Sequence, residues 1–471
     1  MNKFYITNSI PYVNAKPHIG HALEFIESDT ITRYHKLQGD EVLLLCGADE
    51  NALKNVQAAE DAGIEVQTLV DKNAKLFEDL AKNLNIHFDV FQKGSNEKHH
   101  LSSQKLWKLC EESGDIYKKS YRGLYCVGCE AFYTPEELNE NGECFEHPGK
   151  KLDEVEEENY FFKLSKYQDS LIKIIESGQY QIIPDFRKNE VLSFIKSGLQ
   201  DFSISRTNKR AKNWGVAVPG DDSQRIYVWF DALNIYQSGI GFGWDDEKYK
   251  KWWPADLHVI GKGISRFHTV YWPAILLSAG LLLPKKLFIH EYFTVNGQKM
   301  SKTLGNVYDP NIAIEKFGVD ALRYFCLAKI SPFHDGDFSE EKLHESYNAD
   351  LANGLGNLVS RVAKLCENNN ISAPDLPTEF DSKMTEHLEK YKFNEALGHI
   401  WGEISEADKK VNLEKPWELE GEKAKEVLRD LVKKIQHVAY NLQPFMPETA
   451  EKILKQFSGE IKSAASLFPR I

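Results

Sequence analysis

The first 45 residues contain a strand, a loop, a helix and a second strand, and this order most constrains the fold. The apolar segment 4–7 predicts a buried strand. Apolar residues spaced three or four apart over 23–37 predict a helix that ends near Gly39, and the leucine-rich segment 42–45 predicts the next strand. Strand, helix and strand in this order are the opening unit of a parallel sheet, so the chain is expected to have an α/β fold.

The loop before this helix carries two histidines. It spans residues 11–21 with the sequence Pro-Tyr-Val-Asn-Ala-Lys-Pro-His-Ile-Gly-His, and its prolines prevent regular structure. His18 and His21 lie at the positive end of the predicted helix, where free N–H groups attract phosphate. Gly20 allows a ligand to approach the backbone. Because such a pair can equally be structural, its role depends on a second, distant element.

Composition excludes several classes of protein. The chain has 471 residues, of which 42% are hydrophobic and 27% charged, as in a globular protein with several domains. Its net charge of −12 argues against a protein that coats nucleic acid indiscriminately. No apolar run approaches the roughly 20 residues that span a bilayer, and the N-terminus resembles no targeting segment. We therefore expect a cytoplasmic protein without membrane contact, and a monomer by default.

Residues 117–149 contain a set of candidate metal ligands. Cys126 and Cys129 form one Cys-x-x-Cys pair, and Cys144 and His147 form a Cys-x-x-His pair fourteen residues later. Three thiolates and one imidazole complete a tetrahedral zinc site, which leaves no position for substrate and predicts a structural role. The alternatives are a redox Cys-x-x-Cys or four unrelated residues. Because this segment interrupts the α/β pattern, it is interpreted as an insertion.

The rest of the chain first continues the sheet and then becomes helical. Further strands are predicted at 226–230, 257–260 and 287–290, and the acidic run 153–158 is expected to be solvated surface. Asp49 follows the second strand, where it can either cap the next helix or bind a ligand. From about residue 346 a helix bundle is predicted, with helices near 346–368, 381–411, 420–442 and 446–457.

A second phosphate-binding candidate lies far from the histidine loop. The segment 299–302, Lys-Met-Ser-Lys, follows a predicted strand and a turn at Gly297, so its two ammonium groups can contact a polyphosphate. Together with the histidine loop it resembles the two ATP-binding motifs of class I aminoacyl-tRNA synthetases. The cysteine insertion, the segments 228–232 and 266–268 and the C-terminal pattern resemble the methionyl-tRNA synthetase family, over residues 4–470.

The resemblance implies roles for individual residues, each at the position that matches the family pattern. The catalytic residues would be His18, His21, Lys299 and Lys302, joined in ATP binding by Gly20, Glu24 and Lys262. The methionine pocket would be formed by Ile10, Tyr12, Asp49, Trp229, Ala232, Leu233, Tyr236 and His268, with Arg206 near Asp49. The anticodon would be read by Asn357, Arg361 and Trp417. Without the family resemblance, Asn357 and Arg361 would be interpreted as a solvated surface pair, and Trp417 would be interpreted as a core residue.

The resemblance also implies an activity and a domain plan. The activity would be ligation of methionine to tRNA(Met), with ATP and Mg²⁺ as well as the structural Zn²⁺. Alternatives are another class I synthetase, a small nucleotidyltransferase or a tRNA-binding relative without catalysis. The fold would be a split Rossmann-like parallel-sheet domain with a zinc-knuckle insertion, followed by a helical anticodon-binding domain. Its parts would be 1–112 and 216–290 (catalytic halves), 113–215 (insertion), 291–345 (stem-contact region) and 346–471 (helical domain).

Two departures from the family pattern concern the pocket. Asn51-Ala52 stands where His-Gly is frequent, and Gly263 replaces a common acid. Either change can alter a contact to the nucleotide or the amino acid, but neither removes a residue that the reaction itself needs.

Overall fold

The computed structural model describes residues 2–126, 131–133, 135–145, 149–300 and 305–471. The chain divides into two compact units. The first comprises residues 1–17, 39–81 and 87–290, and the second comprises residues 18–38, 82–86 and 291–471. The first helix of the chain therefore belongs to the second unit, although the strands on both sides of it belong to the first.

The strands are identified by their bounds in chain order. They are β1 (Lys3–Asn8), β2 (Glu41–Ala48), β3 (Val90–Lys93), β4 (Ile116–Cys126), β5 (Ala131–Tyr133), β6 (Asp153–Phe162), β7 (Gln181–Ile183), β8 (Phe202–Ser203), β9 (Ser205–Thr207), β10 (Ala217–Val218), β11 (Asp221–Ile226), β12 (Leu257–Gly261), β13 (Lys286–His290), β14 (Phe293–Val295), β15 (Gln298–Lys299) and β16 (Gly336–Phe338).

The α-helices follow the same order. They are α1 (Ile19–Leu37), α2 (Leu53–Ala62), α3 (Val66–Asn83), α4 (Glu97–Glu112), α5 (Gln168–Glu176), α6 (Asp185–Lys196), α7 (Asn208–Ala211), α8 (Val228–Ala232), α9 (Ile235–Ser238), α10 (Asp246–Trp252), α11 (Trp272–Ser278), α12 (Pro310–Phe317), α13 (Val319–Tyr324), α14 (Glu340–Ser346), α15 (Asn357–Asn368), α16 (Ser382–Glu389), α17 (Phe393–Glu414), α18 (Gly421–Leu442) and α19 (Pro447–Gln456). Wider π-type turns span Phe267–Tyr271, Phe325–Lys329 and Tyr347–Gly356.

The first unit is built on a six-stranded parallel sheet. Its strand order is β3-β2-β1-β12-β13-β7, and β1 lies at the centre, paired with β2 on one side and β12 on the other. The predicted strands at 4–7, 42–45, 257–260 and 287–290 are confirmed as members of this sheet. Because the strand order reverses beside β1, the carboxyl ends of β1, β2 and β12 form the crevice in which open α/β sheets bind ligands.

Antiparallel strands from the predicted insertion 113–215 and from the residues that directly follow it form two further sheets of the same unit. One sheet has the order β5-β4-β6-β8, and a smaller one has the order β10-β11-β9. The acidic run 153–158 lies in β6, and four of its five acidic side chains are exposed as predicted. The buried Val155 lies between the exposed Glu154 and Glu156, as expected for a strand with one solvated face.

The predicted strand at 226–230 is wrong. Strand β11 ends at Ile226, and residues 228–232 form the short helix α8, in which every residue is buried. A short apolar run is compatible with a buried strand or with a helix buried on all sides, and periodicity cannot distinguish them. The difference matters because α8 brings Trp229 and Ala232 to the site described below.

The second unit ends in the predicted helix bundle. The helices expected near 346–368, 420–442 and 446–457 are present, but the one expected at 381–411 is two helices, α16 and α17. The break lies at Tyr391, whose φ of 58° cannot continue an α-helix. Among the described residues, no helix is long and apolar enough to cross a membrane.

Candidate active site and binding residues

The two histidines of the loop are held at the start of α1 by a reciprocal pair of hydrogen bonds. The backbone N–H of Gly20 donates to Nδ1 of His18 at 3.1 Å. The backbone N–H of His18 donates to Nδ1 of His21, also at 3.1 Å. His18 is thus the N-cap of a 19-residue helix, and the two rings lie 3.9 Å apart. The sequence predicted the pair at a helix start, but its capping function emerges only from the structure.

These bonds determine which ring nitrogens carry protons. Because Nδ1 of each ring accepts a hydrogen bond, the proton of each neutral imidazole is on Nε2, across the ring. Burial, and then the neighbouring His18, lower the pKa of His21 well below its ordinary value, so this ring is neutral at pH 7. The helix start therefore presents the Nε2–H of the neutral His21 ring at the positive end of the helix dipole, a combination suited to phosphate oxygens.

The second motif lies beside this helix start. A Cβ added to Gly20 would be 3.3 Å from the methyl carbon of Met300, next to Lys299. The N–H of Ile19 donates to the carbonyl of Tyr308 at 3.0 Å. Lys299 ends β15, whereas Lys302 lies outside the described residues. The structure thus brings the segment through residue 300 to the histidine pair, as the sequence predicted.

A tight hairpin positions this segment. Strands β14 and β15 are joined at Asn296 and Gly297, with φ angles of 52° and 73°, the conformation of a two-residue turn that strongly favours Asn-Gly. Asp337 on β16 accepts hydrogen bonds from the Gly297 N–H at 2.6 Å and the Thr294 hydroxyl at 2.7 Å. The hairpin that ends in Lys299 is therefore anchored to its neighbouring strand.

Gly20→Ala is expected to reduce nucleotide activation while leaving the helix intact. The added Cβ would lie 3.0 Å from Cε1 of His18 and 3.3 Å from Met300, closer than most carbon contacts. Since small displacements of catalytic groups are costly, we expect adenylate formation to fall about 10- to 100-fold. Alanine favours a helix by about 1 kcal/mol, so the melting temperature should not fall. Gly398→Ala on α17, where an added Cβ meets nothing within 4 Å, is the control. Full activity in Gly20→Ala would contradict the assignment.

In the first unit, the carboxyl ends of β1 and β2 bring Tyr12 and Asp49 together. The two residues form an isolated parallel bridge, and the N–H of Asp49 donates to the carbonyl of Pro11 at 2.9 Å. Asp49 is 3% exposed. The N-cap of α2 is Ala52, so the alternative that Asp49 occupies this capping position is wrong. A buried carboxylate at this edge of the sheet can bind an ammonium group.

Aromatic rings form a wall beside this carboxylate. Tyr12 packs edge-on against Trp229, with 6.1 Å between ring centroids. Trp229 in turn stacks on Phe267 at 3.7 Å with nearly parallel planes. The sequence predicted Tyr12 and Trp229 here but missed Phe267, although it precedes the predicted His268. A wall of this kind suits a polarizable apolar side chain such as a thioether.

Tyr236 and His268 form a buried hydrogen-bonded pair. The Tyr236 hydroxyl lies 2.7 Å from Nε2 of His268, and Nδ1 of the same ring lies 3.0 Å from the carbonyl of Ile264. A carbonyl only accepts, so Nδ1 carries the proton and Nε2 accepts from the tyrosine hydroxyl. Tyr180 donates to the carbonyl of His268 at 3.0 Å, which further fixes this turn. Both residues belong to the predicted methionine pocket, and both are buried.

The other predicted pocket residues lie on neighbouring elements. Ala232 and Leu233 are buried at the end of α8, and Ile10 packs against the same core. Arg206 contacts Ser203 and Ser205 and lies 4.3 Å from the ring of Tyr227. Of the predicted ATP-binding residues, Lys262 directly follows β12 and Glu24 is buried in α1.

Asn51, one of the departures from the family pattern, is part of a buried network. Its side-chain amide donates to the carbonyl of Gly94 at 2.9 Å and to Asp231 at 2.7 Å. Burial alone would raise the pKa of Asp231, but His99, 2.9 Å away, and hydrogen bonds from Ser103 and Asn51 outweigh it and lower the pKa. Asn51 therefore connects the loop after β2 to α8, which carries Trp229.

Two of the predicted metal ligands converge. Cys126, at the end of β4, and Cys144 are both buried, and their sulfur atoms are 3.2 Å apart without a disulfide bond. Thiolates about 2.3 Å from one tetrahedral ion lie about 3.8 Å apart, so these two sulfur atoms are close enough to share a zinc ion after a small outward shift. Cys129 and His147 lie outside the described residues.

The predicted anticodon residues lie on the bundle of the second unit. Arg361 contacts Asp408 at 3.2 Å and Asn412 at 2.9 Å, and its guanidinium lies 5.7 Å from the ring centroid of Trp417. Asn357 is exposed one turn before Arg361 on α15. Trp417 is 49% exposed, so the alternative that it is a core residue is wrong. An exposed indole beside a guanidinium is a surface on which an unpaired base can stack.

Comparisons with known proteins agree with this geometry. Residues 4–363 match the family model "tRNA synthetases class I (M)". A methionine–tRNA ligase of Thermotoga maritima is 44% identical over 98% of this chain and 76% of its own length. One from Rhizobium meliloti is 43% identical over 96% of this chain and 91% of its own. A solved structure of Mycobacterium tuberculosis methionyl-tRNA synthetase in complex with methionyl-adenylate covers 100% of both chains, with 36% identity and a TM-score of 0.92.

Proposed function

This chain belongs to the class I tRNA synthetases of the methionine type, and from this premise we propose that it ligates methionine to tRNA(Met) in two steps. The observation that carries the proposal is the capped histidine pair, because it presents Nε2–H donors at a helix start beside the second ATP-binding motif. The related structure from M. tuberculosis contains methionyl-adenylate, the product of the first step.

In the first step, a carboxylate oxygen of methionine attacks the α-phosphorus of ATP. The bond to the leaving pyrophosphate breaks, and methionyl-adenylate forms. The carboxylate is already ionised at pH 7, so no protein nucleophile is needed, and catalysis consists of positioning and charge stabilisation. His18 and His21 would donate hydrogen bonds to phosphate oxygens, and Glu24 and Lys262 match further ATP-binding positions of the family. Lys299 and Lys302 would stabilise the charge that builds on the transferring phosphates.

Methionine would be recognised by the pocket of the first unit. Asp49 would bind its ammonium group, and Tyr12, Trp229 and Phe267 would surround the thioether. Tyr236 and His268, which are hydrogen-bonded to each other, would complete the pocket. Such a pocket favours an uncharged, polarizable side chain over a charged one.

In the second step, the terminal ribose hydroxyl of tRNA attacks the carbonyl carbon of the adenylate, and AMP leaves. The tRNA would be selected by stacking of anticodon bases on Trp417 and contacts with Arg361 and Asn357.

Two metals accompany this proposal. Zn²⁺ would be held by Cys126, Cys129, Cys144 and His147, and the convergence of the two described cysteines supports it. This ion would stabilise the insertion. Mg²⁺ would bind with ATP and supply positive charge to the leaving pyrophosphate.

Amino-acid-dependent exchange of pyrophosphate into ATP tests the function. We expect exchange with methionine and none with the other standard amino acids. Exchange with another apolar amino acid instead would identify a different class I synthetase. Binding of tRNA without any exchange would identify a relative that binds tRNA without catalysis.

Arg361→Ala is expected to reduce tRNA charging about 10- to 100-fold in kcat/KM for tRNA, because it removes a cation beside the stacking ring. Methionine-dependent pyrophosphate exchange should be unchanged, since that reaction needs no tRNA. Lys364→Ala is the matched control, because Lys364 lies on the same helix but pairs with Glu367. An equal loss in both variants would indicate a general charge effect instead of an anticodon contact.

A further inference from the structure

The bundle contains a second group of metal-ligand side chains, far in sequence from the cysteine insertion. Ligand atoms of Asp381, His399 and Glu403 lie within 4.8 Å of one another. A fourth side chain, His437, adds Nε2 at 3.9 Å from Asp381 and 3.5 Å from Glu403. These four residues are called the bundle cluster below. They come from three elements: Asp381 caps α16, His399 and Glu403 lie on α17, and His437 lies on α18.

The separations within the bundle cluster bracket the spacing expected around a shared ion. Nε2 of His399 is 2.9 Å from Oδ1 of Asp381, and the other measured separations are 3.5 and 3.9 Å. Ligand atoms about 2.0–2.2 Å from one tetrahedral ion lie about 3.3–3.6 Å from each other. His399 and Glu403 are four residues apart on one helix, so both side chains project from the same face.

Two atoms of the bundle cluster are buried without a hydrogen bond to any residue that the structure describes. They are Nε2 of His399 and Oε2 of Glu403. The 2.9 Å contact of His399 with Asp381 thus lacks the direction of a hydrogen bond, as expected where two ligand atoms point to a third centre. Buried polar atoms without partners are rare in folded proteins, and a cation would satisfy both.

The carboxylate of Asp381 is held in place by its surroundings. Its Oδ1 accepts hydrogen bonds from the N–H groups of Lys383 at 2.8 Å and Met384 at 2.9 Å. The N–H of Asp381 donates to Asn441 on α18 at 2.8 Å. Backbone donors that orient a ligating carboxylate are a common feature of metal sites.

We propose that the bundle cluster is a second metal site, which binds a divalent transition-metal ion of the Zn²⁺ type and joins α16, α17 and α18. Two imidazoles and two carboxylates are borderline ligands suited to such ions, and two carboxylates balance the charge of one. Glu403 and His437 also line an open cleft of about 450 Å³, through which an ion can enter.

The competing explanation is a network of ion pairs with protonated histidines. Hydrogen bonding to Glu403 raises the pKa of His437, as such a network requires. Lys433 and Lys434 line the same cleft and add positive charge there. The two explanations differ in whether the protein takes up an ion.

Zinc uptake by the full chain decides between them. The protein is dialysed against micromolar Zn²⁺, and bound zinc is counted by atomic emission. We expect one more equivalent per chain in the wild type than in Glu403→Gln or Asp381→Asn. The wild type and the variants have the same cysteine insertion. Any zinc bound there therefore contributes equally to each count and does not affect the difference between them. Asn caps helices as well as Asp does, so Asp381→Asn keeps α16 intact while it removes a charged ligand.

Thermal melting and a matched variant complete the test. Zn²⁺ should raise the melting temperature of the wild type by about 5 °C more than that of either variant, since the ion binds only the folded state. Glu406→Gln, in the same cleft but outside the bundle cluster, should bind zinc like the wild type. Equal zinc counts in the wild type and both ligand variants, or loss of the extra equivalent in Glu406→Gln, would overturn the proposal.

Discussion

His21→Ala is expected to slow methionyl-adenylate formation by about 10²- to 10³-fold, the usual cost of losing one positioned donor to a developing anion. The substitution removes the Nε2–H donor and also the Nδ1 acceptor for the N–H of His18. His18 therefore loses one of the two hydrogen bonds that orient it. The half-saturating methionine concentration should change less than threefold, because the predicted methionine pocket is formed by other residues. Single-turnover formation of adenylate measures the first effect, and a methionine titration of the same reaction measures the second.

Two further variants separate chemistry from folding. His35→Ala, in the last turn of the same helix, should retain full activity. His21→Gln carries an amide that can donate from nearly the same position, so it should recover part of the lost rate. A rate for His21→Ala within threefold of the wild type would contradict the role of this ring.

The sequence predicted the scaffold of the site better than its contacts. Periodicity located β1, α1 and β2, because a strand or helix with a continuous apolar pattern has one favourable way to be buried. It failed at α8, where a short apolar run is buried on all sides, and at Tyr391, where a residue with positive φ divides two helices. Neither local feature has a distinct hydrophobic pattern.

The contacts of the site depend on tertiary packing that no spacing encodes. The histidine pair was predicted, but the two capping bonds that place its protons on Nε2 follow from backbone geometry. The stack of Trp229 on Phe267 and the link from Asn51 to Asp231 join residues from separate segments. The roles of all these site residues stay predictions, and the positions of Lys302, Cys129 and His147 also lie outside the described part of the chain.

The largest loss of stability is expected from Arg323→Met in the second unit. Arg323 is fully buried in α13, and its guanidinium lies 2.7 Å from Asp29 on α1. It also donates to the carbonyls of Phe445 at 2.8 Å and Pro444 at 3.1 Å, before α19. The methionine side chain fills much of the volume of the arginine side chain, but it leaves the buried Asp29 carboxylate without its partner Arg323. Breaking a buried pair in this way costs about 3–5 kcal/mol.

Urea unfolding, with the amide exchange of α1 as a local probe, measures this loss. Arg33→Met is the matched control, since Arg33 also pairs with Asp29 at 2.7 Å but its side chain is 27% exposed. Water screens a partly exposed cation more than a buried one, so the loss should be smaller than in Arg323→Met. Adding Asp29→Asn to Arg323→Met should restore part of the stability, because it removes the uncompensated charge. Equal losses in Arg323→Met and Arg33→Met would show that burial does not determine the strength of this pair. Since α1 begins at the histidine pair, a destabilised α1 should also slow adenylate formation at temperatures where the rest of the chain stays folded.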